Sequence, residues 1–143
     1  MANDTIRTTA STVLGDSSSL ISSAGNVNVT SQNRVGVTSF AKTQFYGVGS
    51  LNSGSAGTSI TGLSDPNLAK TSLGVGSAIV GREVNVKATV PSINVDSDAL
   101  GEMYALGGYI AVTSRVDVTS DTLITQMTDA KISANKINLD SSH

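Results

Sequence analysis

Residues 21–31, Ile21-Ser22-Ser23-Ala24-Gly25-Asn26-Val27-Asn28-Val29-Thr30-Ser31, decide the fold, because the chain states this pattern three times. It returns as Ile79-Val80-Gly81-Arg82-Glu83-Val84-Asn85-Val86-Lys87-Ala88 and as Ile132-Ser133-Ala134-Asn135-Lys136-Ile137-Asn138-Leu139-Asp140-Ser141. Each copy holds an apolar residue, a small polar turn and an apolar-Asn-apolar triplet. The triplets begin at Val27, Val84 and Ile137, spacings of 57 and 53 residues. Self-similarity at such a period marks a chain made of stacked structural units, each too small to bury its apolar face alone.

The spacing persists away from the triplet. Val35-Gly36-Val37 aligns with Ile93-Asn94-Val95, and Phe45-Tyr46-Gly47-Val48-Gly49 with Met103-Tyr104-Ala105-Leu106-Gly107, both 58 residues apart. Tyr46 and Tyr104 weigh most, since the chain has only 3 tyrosines. Ile60 aligns with Val116 and Leu68 with Ile124, while Ile6 aligns with Ile60 and Leu14 with Leu68. The reading is one domain over residues 1–143, with a partial unit at 1–26, full units at 27–83 and 84–136, and a further start at 137–143. The drift in spacing is assigned to turn-rich slack at Thr89-Val90-Pro91, 50–59 and 70–78, where surface loops tolerate it.

Within a unit the apolar signal alternates over short runs. Val27-Asn28-Val29, Val35-Gly36-Val37, Ile93-Asn94-Val95 and Val116-Asp117-Val118 each place two apolar side chains on one face, the period of a strand. Ser31-Gln32-Asn33, Pro91-Ser92 and Ser120-Asp121 have turn composition. The nearest approach to a helical pattern is Asp98 to Leu106, and its counterpart from Phe40 to Val48 reads as strand. The predicted fold class is therefore all-β, a single-stranded parallel β-helix (β-solenoid) without significant helix. With two three-sided rungs per unit, it would have about five rungs and a height of roughly 20–25 Å at strand spacing. Ser50 to Gly62, SLNSGSAGTSITG, is predicted to be a flexible loop. Asn28, Asn85, Asn94 and Asn138 are placed on the outside, where they can form partial amide ladders.

Composition agrees with thin, regular layers. Hydrophobic residues are 38% of the chain, yet aromatics are 3% and Trp is absent; the apolar residues are mostly Val, Ile, Leu and Ala, which suit pleated surfaces. Charged residues are 14% and the net charge is −2, too little clustered Lys and Arg for nucleic acid or anionic membrane. Without cysteine there is no disulfide framework or thiolate site. No apolar run is long enough for a membrane span. The start, Met1-Ala2-Asn3-Asp4, lacks a secretory signal, so the export signal of an exported parent is expected outside this segment.

The runs ISSAGNVNVTSQNRVGVTSFA and AKISANKINLDSS, with GVGS and ALGGYIAVTS between, resemble the repeats of large bacterial filamentous adhesins, nearest to the filamentous-haemagglutinin-like and leukotoxin-type members. The resemblance covers nearly the whole chain and lies in rhythm and composition, with no diagnostic motif. It implies a secreted or surface-anchored right-handed β-helix that acts as an adhesive shaft. The missing export signal departs from a full-length member and leaves the anchoring open.

Catalysis needs convergent titratable groups, and the sequence assigns no catalytic, cofactor-binding or metal-ligating residue and no cofactor. The single histidine is the terminal His143. Asp96, Asp98 and Glu102 lie close together but lack the glycine-spaced oxygen loop of a calcium site. Arg115, Asp117, Asp121, Asp129 and Lys131 are scattered without repeated partners. Gly47-Val48-Gly49-Ser50 and Gly74-Val75-Gly76-Ser77 continue into neither a dinucleotide fingerprint nor a phosphate loop, and read as corners. Asn28-Val29-Thr30 is formally a glycosylation acceptor whose copies break the pattern. The expected function is a non-enzymatic structural and adhesive segment at the bacterial surface. Its partners would be neighbouring repeats, or copies of itself stacked end to end, and a host or environmental surface ligand. The alternatives are a self-assembling extracellular fibre subunit and an ice-binding solenoid, the latter prompted by Thr8-Thr9, Thr12, Thr30, Thr38, Thr113 and Thr119.

Overall fold

The structure, a computed structural model, describes residues 2–62 and 66–143. Among them are ten strands and no helix: β1 (Ala2–Arg7), β2 (Ala10–Leu14), β3 (Ser19–Ile21), β4 (Asn26–Gly47), β5 (Ser50–Thr61), β6 (Asn67–Leu73), β7 (Ala78–Ala105), β8 (Gly108–Val118), β9 (Asp121–Gln126) and β10 (Lys131–Ser142). They form three sheets, ordered β1-β5-β8, β2-β6-β9 and β10-β7-β3, with β4 also paired to β7. The chain thus visits the three sheets in the same order three times. The β2-β6, β3-β7, β5-β8, β6-β9 and β7-β10 ladders are all parallel. The all-β class with parallel pairing is as expected, and residues 98–105 are strand rather than helix.

The triplets lie in register. Ile137 pairs with Val84, Asn138 with Asn85 and Leu139 with Val86. Asn138 Nδ2 donates to Asn85 Oδ1 at 2.6 Å, and Asn85 Nδ2 donates to Asn28 Oδ1 at 2.9 Å. The predicted amide ladder therefore runs through three levels.

Several expectations are corrected. Ladder partners such as Ser19 and Ala78, or Lys131 and Ala78, lie a whole unit apart. A unit therefore adds one strand to each sheet instead of two rungs, and each sheet has three levels instead of about five. Ser31-Gln32-Asn33 and Pro91-Ser92 are not turns but lie inside β4 and β7. Ser31 and Asn33 are polar residues facing inward, satisfied across the interior: Ser31 Oγ lies 2.9 Å from Thr71 Oγ1, and Asn33 Nδ2 donates to the Leu68 carbonyl at 2.9 Å. Pro91 falls just beyond the point where β10 stops, Ser142 opposite Thr89, and proline is tolerated where a sheet has an open edge.

Ser50 to Thr61 is not a loop but β5, the central strand of its sheet, with Ala56, Thr58 and Ile60 buried. Its small side chains mimic a linker in composition yet alternate like any strand. Ile60 pairs with Val118 rather than Val116, Leu14 with Leu73 rather than Leu68, and Ile124 with Thr71 rather than Leu68. The ladders run without a shift through 50–60 and 69–73, so slack does not lie there. It lies beyond Ile60, with a bulge between Asn67 and Ala69, between Ile21 and Asn28, and between Asn85 and Glu102, the stretch that holds Thr89-Val90-Pro91, where the offset to β4 goes from 57 to 58.

The described residues gather into two compact units. In the unit of residues 8–34, 61–92 and 120–143, Val27, Val29, Leu73, Ile79, Val84, Val86 and Ala130 form the core, joined by Leu14, Ile124, Ile132 and Ala134. Thr12 and Thr71 are register partners and make equivalent bonds: Thr12 Oγ1 donates to the Thr30 carbonyl at 2.8 Å and Thr71 Oγ1 to the Lys87 carbonyl at 2.6 Å. Three turns repeat at one corner, closed by bonds from Ser18 N to Gly15 O, Ser77 N to Gly74 O and Ala130 N to Met127 O, each 3.2 Å. The third residue of each, Ser17, Gly76 or Asp129, has φ near +60°, the left-handed region where Gly is cheapest and Asn, Asp and Ser are tolerated best.

In the unit of residues 2–7, 35–60 and 93–119, the buried residues are mostly small, Val35, Ser39, Ala41, Ala56 and Thr58, with the larger Ile60 at one end of β5. Backbones approach closely there. A Cβ on Gly101 would run into Ile110 Cγ2, and Ser114 Oγ donates to the Ser97 carbonyl.

Candidate functional surface

The most chemically varied surface lies on the outside of β4 and β7, in the unit of residues 2–7, 35–60 and 93–119. Strand alternation decides which side chains reach it. Ala41 is buried, so Phe40, Lys42, Gln44 and Tyr46 project the other way and are exposed. Glu102 and Tyr104 meet them from β7. Lys42 Nζ lies 2.7 Å from Glu102 Oε1, Gln44 Nε2 donates to Glu102 Oε2 at 2.6 Å, and Tyr104 OH donates to Glu102 Oε2 at 3.4 Å. The Tyr46 and Tyr104 rings stack with centroids 5.1 Å apart and planes 7° from parallel, while remaining 68% and 58% exposed. Three of the chain's five Phe and Tyr residues thus share one face.

The electrostatics are local. The Lys42 ammonium, then the Gln44 amide, hold the Glu102 carboxyl below its ordinary range, and the bond to Glu102 holds Lys42 above its own. Both groups are solvated, so the pair is weakly stabilising. As a binding surface, the face offers ring faces and edges, an amide and a compensated ion pair. Such groups suit modest polar and stacking contacts better than tight capture.

The second polar seam is the amide ladder in the other unit. Asn138 also donates to Glu83 Oε1 at 2.9 Å, Lys136 Nζ approaches the same oxygen at 3.2 Å, and Lys87 Nζ lies 3.7 Å from Asp140 Oδ2. Asn28 of the formal glycosylation triplet accepts a bond in this ladder.

The acidic residues weighed in the sequence do not converge. Glu102 is engaged as above, and among the described residues no group of three His, Asp or Glu could hold a metal. Arg115 pairs with Asp117 at 2.8 Å and 3.0 Å on an exposed strand. Asp121 opens β9, Asp129 sits in a turn and Lys131 opens β10. Gly74 to Ser77 is a turn, and Gly49 and Gly107, 58 residues apart, are both left-handed. The hollows are open, and one of about 500 Å³ is lined by residues including Ser55, Thr58, Thr113, Arg115 and Asp117. Sequence reasoning found the Tyr46–Tyr104 relation but missed Phe40, Lys42 and Gln44. Stepping back by twos from Tyr46 would have reached all three.

Comparison with protein-family models, with characterised proteins and with solved structures finds no match to this chain.

Proposed function

We propose that the chain is a stretch of single-stranded parallel β-helix that serves as a rigid, non-enzymatic shaft segment of a large secreted or surface-exposed bacterial adhesin. One observation carries this reading: the chain returns to the same three sheets in the same order, and equivalent side chains lie over one another at Asn28–Asn85–Asn138 and Tyr46–Tyr104. A coil that advances one strand spacing per turn has this property. The right hand follows from the twist rule for parallel crossovers. Length is then the mechanism: stacked turns project a tip, and a polar, weakly charged outside makes many modest contacts that add by multivalency.

Neighbouring repeats are the first partners in this reading. The stacking they would continue is the one already present, inward columns with Ile137 over Val84 and Leu139 over Val86. The same columns support a second reading, end-to-end assembly of copies into a fibre.

The test is localisation and adhesion in the bacterium that makes the protein. Antibody against this segment should stain intact, unpermeabilised cells, and deletion of the segment should reduce attachment to host or abiotic surfaces. Staining only after permeabilisation, or unchanged attachment, refutes the adhesin reading.

A further inference from the structure

The corner between β4 and β5 and its counterpart between β7 and β8 belong to one unit, that of residues 2–7, 35–60 and 93–119. Phe45-Tyr46-Gly47-Val48-Gly49-Ser50 makes the first and Met103-Tyr104-Ala105-Leu106-Gly107-Gly108 the second. They lie one above the other, because Tyr46 stacks on Tyr104 on one side of the corner and Ser50 pairs with Gly108 on the other. Gly49 (φ +62°) and Gly107 (φ +90°) turn the chain at equivalent points, and the residue before each stands at the tip. Both tips are aliphatic. Val48 is 83% and Leu106 88% exposed, more than any other large apolar side chain among the described residues. This exposure is sideways: each tip has the other level on one flank and still gives up less than a fifth of its surface to everything around it. A level stacked on the opposite flank would leave most of it open.

Composition sets this corner apart. All 3 tyrosines of the chain flank it, Tyr46 and Tyr104 on the way in and Tyr109 on the way out, and each is more than half exposed. No Asp, Glu, Lys, Arg or His occurs in residues 43–64 or 103–114, whereas the other repeated corner includes Asp16 and Asp129. Aliphatic tips above amphipathic rings, without charge, match the interface of a lipid bilayer. There the tips reach the acyl boundary and tyrosine sits at headgroup depth, and no charge has to be dehydrated. The ridge is also convex, which a fluid interface accommodates, whereas a protein partner must supply an apolar groove of matching shape. With no cation at the corner and a net charge of −2, nothing draws it to anionic lipid.

We infer that the ridge of Val48 and Leu106, flanked by Tyr46, Tyr104 and Tyr109, is a site of shallow insertion into a zwitterionic lipid surface. Binding strength there scales with the apolar area taken out of water, so each level contributes its own tip. The inference goes beyond the adhesin reading and does not rest on it, since the corner partitions into lipid wherever the chain resides.

The probe is phosphatidylcholine vesicles, with and without brominated acyl chains, added to the intact chain. The chain has no Trp and all 3 of its tyrosines lie at this corner, so intrinsic tyrosine fluorescence reports the site directly. The expected result is co-flotation of chain and vesicles, with stronger quenching by the brominated lipid. Neither high salt nor added phosphatidylglycerol should change it much. Leu106→Ser should weaken partitioning roughly tenfold, the scale of one aliphatic side chain taken out of water, and adding Val48→Ser should weaken it further. Both positions are exposed, so urea unfolding should not shift. Val13→Ser, an exposed apolar position in the other unit, should leave binding unchanged. Absence of co-flotation, quenching that survives Leu106→Ser, or binding that needs anionic lipid and fails at high salt overturns the inference. So does self-association in sedimentation velocity that Leu106→Ser abolishes, which gives the ridge to a second copy instead. A chain that stains on intact cells yet ignores the vesicles refutes this site alone; vesicle binding by a chain absent from the cell surface refutes the adhesin reading alone.

Discussion

Replacing Asn85 by Ala tests whether equivalent side chains hold neighbouring levels in register. Asn85 is the middle of the amide ladder: its Nδ2 donates to Asn28 at 2.9 Å, and its Oδ1 accepts from Asn138 at 2.6 Å. The substitution removes both bonds and leaves Val84 and Val86 in place. A net bond contributes about 0.5–1.5 kcal/mol, and these lie near the surface, so the lower half of that range applies and the expected loss is roughly 1–2 kcal/mol. Asn28→Ala removes one neutral bond and should cost about half as much. The double variant should cost less than the sum of the two by about one bond, roughly 0.5–1 kcal/mol, because they share it. Urea unfolding followed by far-ultraviolet circular dichroism measures all three. Equal losses at Asn28 and Asn85, or strict additivity in the double variant, would refute the argument, because the ladder would then be an accident of two exposed side chains.

Other consequences follow from the same structure. Val84→Ala, at a fully buried position, should destabilise by about 1–3 kcal/mol, whereas Ile137→Ala, its exposed partner one level on, should cost clearly less despite losing more atoms; chemical denaturation ranks them. Gly74→Ala places a Cβ 2.6 Å from Asp16 Oδ1 and 2.7 Å from both Asp16 N and Gly15 C, so a stacked turn must separate, with an expected loss of about 1–3 kcal/mol and faster exchange at Ser17 and Val75. Because Lys42 and Gln44 hold the Glu102 carboxyl low, the contribution of this cluster is present above the ordinary glutamate range and is lost as pH falls through the depressed value. An NMR titration of Glu102 should give a midpoint below that of an exposed glutamate, and Lys42→Met should raise it.

The sequence was most legible where an outward side chain bonds to its own equivalent. The Asn of each triplet and the Tyr46–Tyr104 pair announced their partners because identity one unit apart is visible without coordinates. It was least legible where the interior is polar. Ser31 and Asn33 look like turn residues until the Thr71 hydroxyl and the Leu68 carbonyl on the facing sheet are known to satisfy them. Small side chains misled in the same way: Ala56 and Thr58 fill narrow space between sheets, and composition cannot distinguish that from a linker. The alignments of Ile60 and Ile124 failed because one offset of 56 hides the change from 58 on β5–β8 to 53 on β6–β9, and that of Leu14 because β2 pairs β6 at an offset of 59 rather than 54. On the candidate surface, Tyr46 and Tyr104 were found by repetition, whereas Lys42 and Gln44, whose partner Glu102 is unlike them, had no repeated signal.

One consequence of the whole-unit spacing concerns how such a chain folds. Every defined ladder joins residues more than fifty positions apart, so no strand finds its partner until a long loop has closed, and the first pairing is slow. Once two levels exist, the third meets a finished template and only its own half of the encounter remains to be ordered. Folding of longer versions would therefore begin hesitantly and then advance along the stack, with a front that moves one level at a time from whichever end nucleates first.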